Sequence, residues 1–269
     1  MSDEEKGGHD MNRTVTVLMY HGVGDERGDC PGADAHYAVT GRQFSAHLKL
    51  AKQAGLRVSS IADLLRNPSA AARSVGFTFD DGHASNGPAA ELIARDGGSA
   101  DFFVNPSQVG APHYLGWSAL RGMAAAGMSI QSHGFNHYYL DDLSPQEVEA
   151  QVRDSKKAIE DNVGQPVTLF APPGGRVAPN LREVAQRAGY TAVCSSRVGL
   201  WHTAEGAWDV PRLAVLRGTS DEQLARWLRQ DWWEITNRRT RYAVLTSAKR
   251  LLGNQAYERL RGRLLRDTA

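Results

Sequence analysis

Asp80 and Asp81 stand side by side in the stretch FTFDDG, where the apolar run Val75–Phe79 stops. Two like charges with poor strand propensity end such a run, and Asp-Gly is also ordinary turn chemistry. Neighbouring side chains on a strand point to opposite faces. At a strand end that opens into a glycine turn, both carboxylates can instead reach one site from different angles. Further along, in MSIQSHGFNHYYLDDLS, His133 and His137 follow another β-rich run. Their i, i+4 spacing puts both imidazoles on one face of a helical turn. Gly134 leaves a tight loop open as the other way to converge them. Two histidines and one carboxylate make a three-ligand set for a catalytic divalent metal with an open position. One aspartate would complete that set. The other would stay off the metal as general base for its bound water, whose pKa a metal lowers to about 7.

Residues with such tasks need strands to aim them. Candidate strands are 14–20, 56–58, 75–79, 100–104, 128–132, 167–170, 190–194 and 210–216, and candidate helices are 41–54, 60–66, 87–95, 117–126, 145–162 and 180–188. Ser144-Pro145-Gln146-Glu147 reads as a capping box with proline at the first helical position. Val148, Val152, Ile159 and Val163 then mark one helical face. Gly55, Gly127 and Gly189 each follow a helical run and precede a strand, as a left-handed cap does. The repeated βα order predicts an α/β fold with a parallel sheet and helices outside, closed into a barrel of about seven strands. Active sites of parallel barrels sit at the C-terminal ends of the strands, and both aspartates fall at such an end.

TFDDG at 78–82, SHGFNHYYLDDL at 132–143 and LFAPPGG at 169–175 resemble, in order and spacing, the first three motifs of the polysaccharide deacetylases, carbohydrate esterase family 4 with its NodB homology domain. VLMYHGVG at 17–24 and VPRLAV at 210–215 resemble the branch that includes the biofilm poly-N-acetylglucosamine deacetylases. The resemblance covers roughly residues 14–217. It implies a deformed (β/α) barrel, a divalent metal, usually zinc, and hydrolysis of N-acetyl groups on sugars. It further implies Asp80 as catalytic base and Asp81, His133 and His137 as metal ligands. The family's third motif usually reads Arg-x-Pro-Tyr-Gly, whereas here Ala171 stands for the arginine and Gly174 for the tyrosine. Asp80 therefore lacks its usual orienting arginine. Arg212 is a candidate replacement, the alternative being an ordinary surface arginine at a strand end. The Gly174 backbone N–H remains as an oxyanion donor, a role that needs no side chain. Pro173 and Trp201 are expected to meet substrate. The family's late histidine, its general acid, is not evident. His21, at the end of the first strand, is better placed than His202 or His83, because the first and last strands of a barrel are neighbours.

The chain has 269 residues, 41% of them hydrophobic, which is ordinary for one α/β barrel. A formal net charge of +1 advertises no nucleic-acid partner. Two cysteines without metal spacing, Cys30 and Cys194, fit a reducing compartment, although the two thiols could pair. The first residues, 1–13, have no apolar signal core and read as a disordered leader. Residues 14–220 read as the barrel and 221–269 as a basic helical extension. Residues 236–269 hold nine basic side chains against two acidic ones. With Trp232, Trp233 and Tyr242, this tail could lie on an anionic membrane surface or dock a lipid-linked substrate. The alternative is a pair of helices covering the barrel with a solvated basic face. The expected setting is cytoplasmic, at most peripheral to the inner membrane face, and the expected partner is an N-acetylated glycan or glycan precursor. Two other functions compete: an amidohydrolase for a non-sugar amide, imide or formamide, and a glycan-binding protein of the same fold without turnover.

Overall fold

Seven short runs, nearly all of their residues buried, form the parallel strands, as a sheet covered by helices on one face and closed on itself on the other requires. They are β1 (Thr14–Tyr20), β3 (Ser74–Phe79), β4 (Asp101–Val104), β5 (Ser129–Ser132), β6 (Leu169–Phe170), β7 (Ala192–Val193) and β9 (Leu213–Ala214). The computed structural model describes residues 14–241 and 243. The expected leader, Tyr242 and most of the basic tail lie outside the described residues. Helices α1 (Gly41–Gln53), α2 (Ile61–Arg66), α3 (Asn86–Arg95), α4 (Trp117–Ala125), α5 (Pro145–Val163), α6 (Leu181–Arg187) and α7 (Asp221–Leu228) connect and cover the strands. The capping box at Ser144 and Glu147 is present, and a second joins Thr40 to Gln43. Gly55, Gly127 and Gly189 have φ of 70°, 88° and 81°, the left-handed turns expected of them.

The sheet runs β7-β6-β5-β4-β3-β1, all parallel, and β9 lies parallel to β1 on its far edge with Leu18 opposite Leu213. A parallel bridge pairs Cys194, just after β7, with Val210, just before β9. The segment 210–215 thus touches both ends of the sheet and carries it round into a ring. Short β2 (Arg57–Ser59) runs beside the first half of β3.

Alternation along the strands separates two apolar layers. Leu18, Phe77, Phe79, Phe102, Ile130 and Phe170 face the helices. Val15, Val17, Phe103, Leu169, Ala192 and Cys194 face inward, with residues of α2 joining them from the barrel's N-terminal end. Both cysteines are free thiols, Cys194 in this interior.

Two expectations need correction here. Trp201 is 2% exposed and forms, with His202, a short strand β8 (Trp201–His202) antiparallel to the start of β1. Its indole N–H donates to the Gly206 carbonyl at 2.9 Å. It plugs the end of the barrel opposite the aspartates, so it belongs to the core and not to a substrate surface. His202 lies 3.0 Å from Thr14 Oγ1 at that same far end, which removes it as an acid candidate. The first helix of the expected extension packs on the barrel. Helix α7 buries Leu224, Trp227 and Leu228, and Thr16 of β1 donates to the Trp227 carbonyl at 2.8 Å.

Candidate active site

Position in the pleat explains the paired aspartates. Val75, Phe77 and Phe79 face the helices, so Thr78 and Asp80 face the barrel interior. Continued alternation would send Asp81 outward. Instead Asp81 takes φ of 74°, a left-handed conformation that aspartate tolerates better than most residues, and Gly82 follows at 70°. The twist returns Asp81 to the same end of the barrel as Asp80.

Asp80 is 3% exposed, and both of its oxygens are held by Arg212. Arg212 Nη1 donates to Oδ1 at 2.7 Å and Nη2 to Oδ2 at 2.9 Å, the bidentate fork that guanidinium and carboxylate geometry favours. Arg212 is itself 1% exposed, so the surface reading does not apply. Its Nε donates to the Ser195 carbonyl at 3.0 Å, and Nη1 also reaches Thr78 Oγ1 at 3.2 Å. Burial alone would lift the Asp80 carboxyl. The Arg212 guanidinium, together with His133 and His21, more than offsets this and holds the group below the usual carboxylate range.

Asp81 has different company. Its Oδ1 lies 3.4 Å from His133 Nε2 and 3.2 Å from His137 Nε2. The three donor atoms all lie within 4.8 Å of one another. His133 Nδ1 sits 2.8 Å from the Ala171 carbonyl. A carbonyl can only accept, so Nδ1 carries the proton and Nε2 keeps its lone pair toward Asp81, an arrangement that recurs behind metal-bound histidines. Asp81 Oδ1 is buried and makes no hydrogen bond. An orphaned carboxylate oxygen beside two imidazole Nε2 atoms is a donor set that a divalent cation fits. His137, like Asp81, is left-handed, with φ of 59°. Burial pulls His133 down, and the carboxylates of Asp80 and Asp81 more than reverse this.

Residues 67–193 match the family model for polysaccharide deacetylase. Over those residues the chain is of the polysaccharide deacetylase type. It is 26% identical to YxkH of Bacillus subtilis over 211 residues, 77% of this chain and 73% of that one. It is 31% identical to the peptidoglycan-N-acetylglucosamine deacetylase of Bacillus cereus over 139 residues, 51% of this chain and 61% of that one. Among solved structures, it superposes on the Streptococcus pyogenes deacetylase PplD, in complex with acetate, with a TM-score of 0.71 and 25% identity, covering 80% of this chain and 98% of that one.

The remaining expected residues of the deacetylase domain are spread over the same barrel end. His21 follows β1, and its ring lies 4.6 Å from that of Tyr37. Burial lowers its pKa against the pull of the Asp81 and Asp80 carboxylates, and its Nδ1 is buried without a partner. Pro173 and Gly174 form a tight turn after β6, with Gly174 at φ 62°. Pro173 is buried, so it shapes the wall of the site more than it offers surface. His83 is engaged elsewhere: Nε2 donates to the Pro31 carbonyl at 2.7 Å, and Nδ1 lies 2.8 Å from Ser85 Oγ.

Sequence reasoning missed the residues that hold the histidine loop. Asn105, at the C-terminal end of β4, donates to the carbonyls of His133 at 2.5 Å and Gly134 at 3.2 Å. Gln151 of α5 accepts from the N–H groups of Phe135 at 2.9 Å and Asn136 at 3.2 Å. Asn105 had a signal, a polar residue closing the apolar run FFV at a strand's C-terminal end. Gln151 had none beyond lying on a helix.

Proposed function

We propose that the chain hydrolyses the N-acetyl amide of an N-acetylated glycan and releases acetate, with a divalent cation, zinc by expectation, held by Asp81, His133 and His137. One observation carries this reading: adjacent aspartates are committed to different partners, Asp81 to two imidazoles and Asp80 to a buried arginine. The sugar is supported by the 31% identity to a peptidoglycan-N-acetylglucosamine deacetylase.

When bound, the cation supplies Lewis acidity to the acyl oxygen and acidifies a water. Asp80, held low by Arg212, is ionised at neutral pH. A carboxylate so stabilised is a weak base, suited to taking a proton only from an acidified water as that water attacks the acyl carbon. Arg212 fixes its orientation through two parallel hydrogen bonds. The Gly174 N–H donates to the acyl oxygen as charge builds there. The carbon–nitrogen bond then breaks. The proton that Asp80 accepted passes by way of His21 to the departing amine, so both side chains end as they began. Arg212 also answers the ground for a binding protein without turnover, since that reading rested on Ala171 leaving Asp80 without an arginine.

The test is acetate release from N-acetylglucosamine oligomers by protein loaded with zinc, set beside turnover of small cyclic imides. Acetate release that stops with a chelator and returns with added zinc is the expected result. Imide opening with no acetate from any oligomer would overturn the proposal.

A further inference from the structure

We infer that Tyr139 is a positioning residue, a wedge that fixes the turn carrying the Gly174 N–H against the loop carrying His133 and His137. The inference rests on the reading of Gly174 as oxyanion donor. Gly174 and Gly175 are left-handed in succession, at φ of 62° and 66°. Two such glycines have wide conformational freedom, so neighbours must decide where the N–H between Pro173 and Gly174 points. Tyr139 is the neighbour at hand. A Cβ placed on Gly174 would stand 2.6 Å from Tyr139 Cε1 and 3.1 Å from Cδ1, so the ring edge lies directly on the glycine backbone.

The ring is held in that place from its other side. The Arg176 guanidinium carbon lies 4.1 Å from the ring centroid. Arg176 in turn pairs with Asp141 at 3.5 Å and Asp142 at 3.4 Å. A guanidinium over a tyrosine face is attracted by the ring's electron density, and the two carboxylates keep it there. Tyr139 stands two residues after His137, with the rings 6.3 Å apart. A second brace runs parallel to the first: a Cβ on Gly134 would lie 3.5 Å from Pro173 Cγ. Loop and turn therefore meet at Pro173 as well as at Gly174, where the three atoms nearest a built Cβ all belong to Tyr139. Yet Tyr139 remains 41% exposed, lining an open cleft with His137, Tyr138, Asp142 and Leu143. Exposure this high in a ring clamped on one face and wedged at its edge fits a part that holds a site, whereas a core residue would be covered.

The experiment uses the full chain labelled with ¹⁵N-glycine and compares wild type, Tyr139→Phe, Tyr139→Ala and Arg176→Gln. The Gly174 amide signal and its hydrogen-exchange rate are read alongside kcat and KM on N-acetylglucosamine oligomers and zinc content. Loss of an oxyanion donor costs about 10²–10³-fold in kcat, so loosening one is expected to cost about tenfold. Tyr139→Ala should move the Gly174 signal, speed its exchange and lower kcat by that amount, with KM and zinc content little changed. Tyr139→Phe keeps the ring and should restore both readouts. Arg176→Gln releases the clamp from the surface and should fall between them, which covers the case in which the alanine variant does not fold. A Gly174 signal unmoved in Arg176→Gln and Tyr139→Ala overturns the wedge, as does a raised KM at unchanged kcat, which would make Tyr139 a sugar contact. The amide signal answers for the wedge without any turnover, whereas absence of acetate release by wild type would count against the proposed reaction.

Discussion

Asp80 and Asp81 are neighbours in the chain and opposites in construction. Asp80 is delivered inward by strand alternation, sealed from water and matched oxygen for oxygen by an arginine 132 residues away. Asp81 is delivered by a left-handed kink, keeps an oxygen without a hydrogen bond and faces one buried and one partly exposed histidine. The first is built as core is built, by packing that fixes one geometry. The second is built from loop ends that leave a carboxylate oxygen and two imidazole nitrogens within 4.8 Å of one another. The proposed hydrolysis needs both: a base that does not wander and a ligand set that can be entered.

A third carboxylate sharpens the contrast. Asp101, also inside the barrel, is fully buried but has no guanidinium. It accepts from the Ile61 N–H at 2.5 Å and the Ala62 N–H at 3.4 Å. Burial pushes its pKa up to about 7 despite these bonds. The same burial therefore leaves a carboxylate ionised or half-neutral near neutral pH, depending on the partner.

Breaking the base should have the largest effect. Asp80→Asn is expected to keep zinc and lose about 10²–10⁴-fold in kcat, measured by acetate release and metal analysis. Near-normal turnover would mean that another group takes the proton. Arg212→Met should follow, costing about 3–5 kcal/mol of stability because a buried charge loses its partner. Part of that loss should return at low pH, where Asp80 can protonate, so melting temperatures across pH distinguish this from a simple packing defect.

Asp101 supplies the next test. Its folded pKa of about 7 stands above its ordinary value of 3.8, so between these values the folded state holds the extra proton and stability falls as pH rises. Asp101→Asn should flatten that part of the profile, by an amount on the order of 4 kcal/mol at most, in denaturant titrations at several pH values. A profile unchanged by the substitution would remove Asp101 from the argument. The smallest effect is expected on the ligand side. Asn105→Ala frees the carbonyls of His133 and Gly134 and should weaken zinc binding by about tenfold, read by competition with a chelating dye.

Much of the frame was legible in the sequence because it is written locally. Apolar runs, the Ser144 box and the glycine caps mark strands and helix ends within a few residues of where they fall. Side-chain types and spacing likewise brought His133, His137 and one of the two aspartates to notice as one group, and the family resemblance pointed to Asp81. What could not be read depends on distant closure. No local pattern says that the segment 210–215 bridges β7 and β1, and without that closure Arg212 can equally be a surface residue. Trp201 was misplaced for the same reason: a two-residue antiparallel strand has no periodicity, and only its pairing with Val15 reveals which end of the barrel it occupies. Nor does the order of residues in HYYL tell which tyrosine turns back onto Gly174.

The closing segment also limits how the molecule can be divided. The family match ends at residue 193, after all three candidate cation ligands but before Val210 and Arg212. A piece trimmed to that match, which begins at residue 67, would retain the ligands yet lose β1 and leave β7 and β3 as bare edges, open to pairing with other chains. Asp80 would then face the barrel interior with no counter-charge. The recognisable motifs are thus a dependent part, and the smallest working unit extends at least through the strand that returns to β1.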